Sequence, residues 1–256
     1  MNDLERYFNE NKGRLIHKWM HFFDAYDRHF ARYRGKEVVV LEIGVFHGGS
    51  MQMWKSYFGD KAVIHGVDVN PRCKELEEDR VRIHIGSQSD RAFLRRLRAE
   101  LPPIDIIIDD GGHTMDQQII TFEELYGAVK PDGVYLCEDL HTSYWLQYGG
   151  GHKRPGTFIE YAKDFIDRLN AWHSEERSLQ VDAFTRSTAS VHFYDSIVVL
   201  EKHPREAPVV RMSGTPSFDM PEPRAKGVMK RIRLGSLRAW NMLLRAFGLP
   251  SVIWGR

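Results

Sequence analysis

The chain has 256 residues, 42% hydrophobic and 28% charged, which suits one well-packed core with a small appendage and excludes a disordered or collagen-like chain. No apolar run nears the ~20 residues that span a bilayer, the charged start MNDLERYFNENKGR does not read as a secretory leader, and two cysteines, Cys73 and Cys137, make no disulfide framework, so a reducing cytoplasm is expected. The net charge of +1 argues against general nucleic-acid binding, but residues 221–256 hold eight Lys/Arg and one acid, which leaves the remainder at −6.

Residues 3–33 read as two helices. In the second, Leu15, Trp19, Phe22, Phe23, Tyr26, Phe30 and Tyr33 recur at helical spacing. The β-branched run 36–42 then fits a buried parallel strand, followed by a glycine-rich turn and a helix over 51–57. Strands are expected at 62–68, 81–86, 104–109 and 134–138. Between them lie a helix at 90–100 capped by Asp90 and one from Thr114 to about Val129, stopped by Lys130-Pro131-Asp132-Gly133. A loop rich in Gly, Tyr and Trp covers 140–156, and a helix spans roughly 157–173. Runs 191–194 and 196–201 read as a hairpin at one sheet edge, turning at Asp195. Five prolines between 203 and 223 mark a surface linker. This alternation predicts an α/β fold with a doubly wound parallel sheet, a C-terminal antiparallel hairpin, N-terminal helices and a C-terminal helical tail. The expected division is 1–35, 36–202, 203–223 and 224–256.

In such sheets ligands bind beyond the strand C-termini. The first strand runs into Leu41-Glu42-Ile43-Gly44-Val45-Phe46-His47-Gly48-Gly49-Ser50, where Gly44 and Gly48 permit a tight turn close to a ligand. The spacing is Gly-x-x-x-Gly rather than that of pyrophosphate binders. Glu42 just before it would repel a pyrophosphate and attract a sulfonium. Asp68, at the end of the second strand, can accept from both ribose hydroxyls, and Gln88 after the third suits an adenine edge. A positively charged nucleoside without phosphates fits, and S-adenosylmethionine (SAM) is one. Glu42 and Asp68 taken singly could be ordinary strand-end polar residues. Their place at the ends of consecutive strands favours the ligand.

The fourth strand ends Asp109-Asp110-Gly111-Gly112-His113 and the fifth ends Glu138-Asp139. Four carboxylates and an imidazole facing one crevice call for a cation. Oxygen donors favour Mg²⁺ or Mn²⁺. Asp110, Glu138 and Asp139 are the expected ligands. His113 is the expected general base for a substrate hydroxyl acidified by the metal, and Asp109 is expected to face the cofactor or secure the loop. A helix cap at Asp110 and solvated acids at 138–139 are the plainer alternative.

These stretches, with Glu138-Asp139-Leu140-His141-Thr142-Ser143-Tyr144-Trp145, resemble the metal-dependent sugar O-methyltransferases of the mycinamicin type, which are class I SAM-dependent methyltransferases with cephalosporin-biosynthesis methyltransferases as relatives. The resemblance covers roughly residues 15–202. It implies a Rossmann-like class I methyltransferase sheet, Asp110, Glu138 and Asp139 as Mg²⁺ ligands, His113 as base, and Glu42, Gly44, Asp68 and Gln88 at the cofactor. It also implies that two vicinal sugar hydroxyls chelate the metal and one is methylated. Those enzymes carry an additional N-terminal domain, whereas only about 35 residues precede the first strand here. The chain is in that respect more similar to methyltransferases of actinobacterial polysaccharide clusters, including those acting on methylated mannosides.

Tyr144, Trp145 and Tyr148, followed by glycines 149–151, suit a mobile lid that stacks on a sugar face. A surface loop with one aromatic in the core is the alternative. Cys137, His65, His84 and His192 are expected to be structural. In the tail, Met229, Ile232, Leu237, Trp240, Leu243, Leu244 and Phe247 form an apolar stripe beside Lys230, Arg231, Arg233, Arg238 and Arg245. Such a helix can pack on its own sheet or on a second copy in a homo-oligomer, or lie on the inner face of an anionic membrane. The expected function is Mg²⁺-dependent methyl transfer from SAM to a sugar or oligosaccharide hydroxyl. A catechol-like or β-lactam acceptor, or a non-catalytic SAM-binding accessory protein, are the alternatives.

Overall fold

Seven strands form one mixed sheet. The computed structural model describes residues 1–219 and 228–253. In chain order the strands are β1 (Val38–Ile43), β2 (Ala62–Asp68), β3 (Val81–Ile85), β4 (Ile104–Asp109), β5 (Val129–Cys137), β6 (Thr188–Tyr194) and β7 (Ile197–Lys202). Their spatial order is β3-β2-β1-β4-β5-β7-β6. The first five run parallel, and β7 inserts antiparallel between β5 and the edge strand β6. The crossover helices are α3 (Gly49–Phe58), α4 (Arg91–Glu100) and α5 (Met115–Leu125), with α1 (Asp3–Glu10), α2 (Phe22–Phe30), α6 (Phe158–Leu169) and α7 (Ala183–Ser187) completing the two layers.

The period of two along each strand divides the core. Val38, Val40, Ile106, Ile108, Val134 and Leu136 face Phe22, Phe23, Tyr26 and Phe30 of α2 and Trp54 and Phe58 of α3. Leu41, Ile43, Ile107 and Tyr135 face Leu94, Leu97, Phe122 and Phe165 of α4, α5 and α6. Glu42 falls on the first face and is buried there with Trp54. Truncating any of the fully buried aromatics costs about 3–5 kcal/mol.

Every expected strand is present, but β5 begins at Val129 rather than 134, β6 begins at Thr188 rather than 191, and several helix limits differ. Leu15 and Trp19 do not join a helix with Phe22. Residues 11–21 are largely irregular, and both side chains are exposed. Tertiary bonds claim this stretch instead: Arg14 donates to the Leu76 carbonyl at 2.9 Å, and Asn11 folds back onto the Arg14 carbonyl at 2.9 Å. The helix begun at Thr114 ends at Leu125, not near Val129. Val129 already pairs with Ile104, and Lys130–Gly133 bulge out before pairing resumes at Val134. The expected helix over 157–173 stops at Leu169 with a 3₁₀ turn beyond it, and the short α7, capped by Asp182, has no counterpart in the sequence reading. The hairpin turns as expected at Asp195, with Ser196 left-handed.

The described residues divide into two units, 1–173 with 179–206, and 174–178 with 207 onward. The second contains α8 (Val228–Ala246), where Arg238 pairs with Glu175 and Asn241 holds Val252 through two hydrogen bonds, 2.7 and 2.9 Å. Ile232, Trp240, Met242, Leu243 and Phe247 are exposed on it. The expected linker and tail lie partly outside the described residues, at 220–227 and 254–256. Among the described residues no helix is long and apolar enough to cross a membrane.

Candidate active site

The C-terminal ends of β1, β4 and β5 are locked together by backbone contacts. Asp110 N–H donates to the Ile43 carbonyl and Glu138 N–H to the Asp109 carbonyl, both at 2.9 Å. Gly44 adopts a φ of +96°, and a Cβ there would stand 2.0 Å from the Asp110 carbonyl oxygen. Only glycine lets the first turn lie against the acid-bearing one. Gly49, at the start of α3, is approached just as closely from the other side. Its Cβ would meet the carbonyls of Leu15 and Arg14 at 2.3 and 2.5 Å. The N-terminal segment therefore lies directly on the head of α3.

Between these elements is a cleft of about 370 Å³. Gly44, Val45, Phe46, Asp68, Val69, Gly86 and Gln88 line one part, Asp110, His113, Glu138 and Asp139 another, and Leu15–Trp19 with Phe22 a third. The cleft thus brings together Gly44, Asp68, Gln88 and the whole expected metal-and-base set. It does not include Glu42, Asp109, Gly48, Tyr144, Trp145 or Tyr148 among its lining residues.

Each of these outliers has a structural position. Glu42 accepts from the Ser50 hydroxyl (2.9 Å) and the Trp54 indole (3.0 Å), and burial pushes its carboxyl up to about 7. Asp109 accepts from Gln88 (3.1 Å) and Tyr135 (3.2 Å), and burial raises it to about 7 as well. Gln88 also donates to Thr121 and accepts from Gly112 N–H at 2.7 Å, so its amide braces the Asp-Asp-Gly-Gly-His loop. Asp68 accepts the N–H groups of Val45 and Phe46, each at 3.0 Å, and fixes the glycine turn. Gly48 supplies the left-handed residue before α3.

The aromatic loop after β5 carries several hydrogen bonds of its own. Thr142 donates to the His113 carbonyl (2.9 Å), Gly150 N–H to Trp145 and Gly151 N–H to Ser143. Tyr144 and Trp145 are 52% and 43% exposed. Trp145 packs on His141 at 4.6 Å, and His141 on Trp19 at 5.8 Å, so a row of rings runs from this loop to a side chain lining the cleft.

At the acid end, His113 has a positive φ of 57°, and its Nε2 lies 3.3 Å from Asp139 and 3.8 Å from Asp110. Burial lowers the imidazole below its usual range against the pull of both carboxylates. The ligand atoms of Asp110, His113 and Asp139 all lie within 4.8 Å of one another. Buried Asp139 Oδ1 and His113 Nδ1 have no hydrogen-bond partner. Unmet polar atoms beside a set of carboxylate oxygens fit a hard dication. Asp110 and Asp139 could hold it, with Glu138 from the same cleft as the third expected ligand although it lies outside that close cluster.

Sequence reasoning missed Lys18. Its Nζ donates to both oxygens of Glu138 at 2.9 Å and to Asp110, and it stands 5.7 Å over the Tyr26 ring. Burial alone would depress this amine, but Asp110, Glu138 and Glu42 more than offset it and hold Lys18 above its ordinary range. Burial and Asp110 push Glu138 up, and Lys18 is the main opposing influence. The signal for it lies in charge balance: a crevice with four expected carboxylates needs a cation, and one of the chain's own lysines can supply it.

The histidines expected to be structural lie away from the cleft. His65 and His84 are 3.1 Å apart on adjacent strands. His192 belongs to a group in which His29 bonds Glu201 (3.0 Å) and Tyr194 (2.8 Å), with Arg32 also on Glu201. Cys137 is fully buried, and burial raises its thiol well above the usual range.

A sheet of this order, with a glycine turn after β1 and acids after β2, β4 and β5, defines a class I methyltransferase fold. Residues 41–140 match the methyltransferase-domain family. The chain is 36% identical over 203 residues to the demethylmacrocin O-methyltransferase of Streptomyces fradiae, covering 73% of this chain and 51% of the relative. To the 8-demethyl-8-(2-methoxy-α-L-rhamnosyl)-tetracenomycin-C 3′-O-methyltransferase of Streptomyces olivaceus it is 40% identical over 196 residues, covering 72% and 50%. The MycE methyltransferase of mycinamycin biosynthesis, solved with Mg, SAH and mycinamycin VI, superposes with a TM-score of 0.70 at 31% identity, covering 91% of this chain and 59% of that one. The chain spans about half the length of the curated relatives it matches.

Proposed function

We propose that the chain transfers a methyl group from SAM to a sugar hydroxyl with the help of Mg²⁺ or Mn²⁺, the sugar belonging to a glycosylated natural product or a polysaccharide. The observation that carries this reading is the convergence of Asp110, His113, Glu138 and Asp139 at one part of a cleft whose other part is Gly44, Asp68 and Gln88. The likeness to enzymes named for rhamnosyl O-methylation supports a sugar over a catechol-like or β-lactam acceptor. A base beside a metal set supports turnover over a mere accessory role.

Gly44 brings backbone close to the cofactor, Asp68 accepts from its ribose, and Gln88 borders the base. Glu42 and Asp109 act from beneath, as buried acids under the cleft floor. Asp110, Glu138 and Asp139 would hold the dication, which when bound supplies the positive charge that acidifies a coordinated alcohol. His113, held neutral by burial and oriented against Asp139, takes the alcohol's proton. The rings of Trp19, His141, Trp145 and Tyr148, with Tyr144 beside them in the chain, offer faces for the sugar. Alignment of the nucleophile and exclusion of water by the N-terminal segment do the rest. The exposed apolar residues of α8 beside Arg233, Arg238 and Arg245 suit contact with a second copy or with an anionic membrane surface.

The test is transfer of labelled methyl from SAM to a panel of glycosylated acceptors and free catechols. Methylation of sugars that is lost with EDTA and restored by Mg²⁺ is the expected result. Equal turnover after chelation, or methylation of catechols alone, would overturn it.

A further inference from the structure

We infer that Lys18 is an internal counter-ion standing in the dication's place between Asp110 and Glu138, so that a metal enters only as Lys18 leaves. This deepens the proposed function and rests on its reading of Asp110, Glu138 and Asp139 as the metal-holding set.

The geometry carries it. An ammonium has three donors. Those of Lys18 meet the two oxygens of Glu138, each at 2.9 Å, and one oxygen of Asp110. Its side chain is 2% exposed and that of Glu138 1%. A hard dication would take the same oxygens at about 2.0–2.6 Å. It would then lie almost on top of the ammonium, and two cations cannot share that space. The lysine also leaves the cluster incomplete. Its donors are spent on two carboxylates, and buried Asp139 Oδ1 is left with no hydrogen-bond partner. An occupant with more coordination positions than an ammonium has donors could take that oxygen as well. Lys18 therefore covers the charge of the acid pair, and it cedes the pair to a better ligand.

The exchange has a mechanical side. Lys18 belongs to the irregular segment 11–21, whose residues 15–19 line the cleft. Withdrawing its side chain moves part of the cleft wall. Metal loading and the position of this segment are thus linked, and Lys18 sets the affinity of the site for its dication.

Two measurements on the full chain test this. In the first, lysines are acylated and quantified by mass spectrometry during a Mn²⁺ titration, with exposed Lys36 as reference. Lys18 should be nearly unlabelled without metal and about tenfold or more faster to label at saturation. In the second, calorimetry compares Mn²⁺ binding by wild type, Lys18→Met and Lys18→Arg. The methionine variant keeps the apolar stem and should bind about tenfold tighter. The arginine variant should bind no tighter than wild type. Should Lys18→Met fail to fold, the labelling experiment decides alone. Mn²⁺ binding with Lys18 still protected, or equal affinities in wild type and Lys18→Met, would overturn the inference and leave the metal site standing. Absence of Mn²⁺ binding in every variant would remove the metal site itself, and the inference with it.

Discussion

Two regions meet at the cleft and are built in opposite ways. The ends of β1, β4 and β5 are fixed by the sheet: parallel register, buried faces and direct backbone bonds set where Asp110 and Glu138 stand. Segment 11–21 has almost no regular structure of its own, and its place is set by Gly49, by Arg14 on Leu76 and by Lys18 on the acids. The framework presents the charges, and the segment answers them. In the proposed metal set, the charges that would take the ion are the same ones that hold the wall of the cleft.

The sharpest test of the framework half is His113→Ala, which should cut kcat by about 100- to 10,000-fold with the fold intact. Circular dichroism and single-turnover methylation read both. A loss below tenfold would move the base elsewhere. A second test sets the two regions against each other through their glycines. Gly44→Ala drives a methyl group into the Asp110 carbonyl and should disrupt activity and stability together. Gly49→Ala presses instead on the carbonyls of Leu15 and Arg14, so it should lift the segment and raise Lys18 acylation while the sheet stays folded. Thermal melts alongside lysine footprinting distinguish them, and identical behaviour would erase the contrast. The smallest effect concerns the strands alone. Burial, with His84 adding to it, lowers the His65 imidazole to about 4. The unfolded chain then binds more protons than the native one between that value and the ordinary ~6.5, so this stability is present above ~6.5 and lost as pH falls towards 4. His65→Gln should flatten that slope by about 1–3 kcal/mol in urea unfolding measured across the window. Parallel slopes would show that His65 does not carry it.

The framework was legible in the sequence because strands buried on both faces read as unbroken runs such as Val38-Val39-Val40-Leu41, and because Gly44, Asp110 and Glu138 stand at strand ends. Lys18 was not legible, for a physical reason. Leu15, Trp19 and Phe22 satisfy helical spacing, and local pattern cannot reveal that contacts with α3 and the acids outweigh it. Gln88 lines the cleft as expected and Asp109 is expected to face the cofactor or secure the loop, but their partners Thr121 and Tyr135 come from distant parts of the chain. Long-range pairing of this kind leaves no mark on neighbouring residues.

One detail of the hairpin has a consequence for synthesis. The Leu140 N–H donates to the Ser196 carbonyl, and the His141 imidazole meets the Ser196 hydroxyl at 2.5 Å, so the loop that follows Glu138 and Asp139 is tethered by the turn between β6 and β7. With β7 also filling the gap beside β5, a nascent chain halted on the ribosome before residue 202 has emerged lacks both the neighbouring strand and the tether. The carboxylates can be translated early, but the loop that follows them gains its tether only after the hairpin arrives.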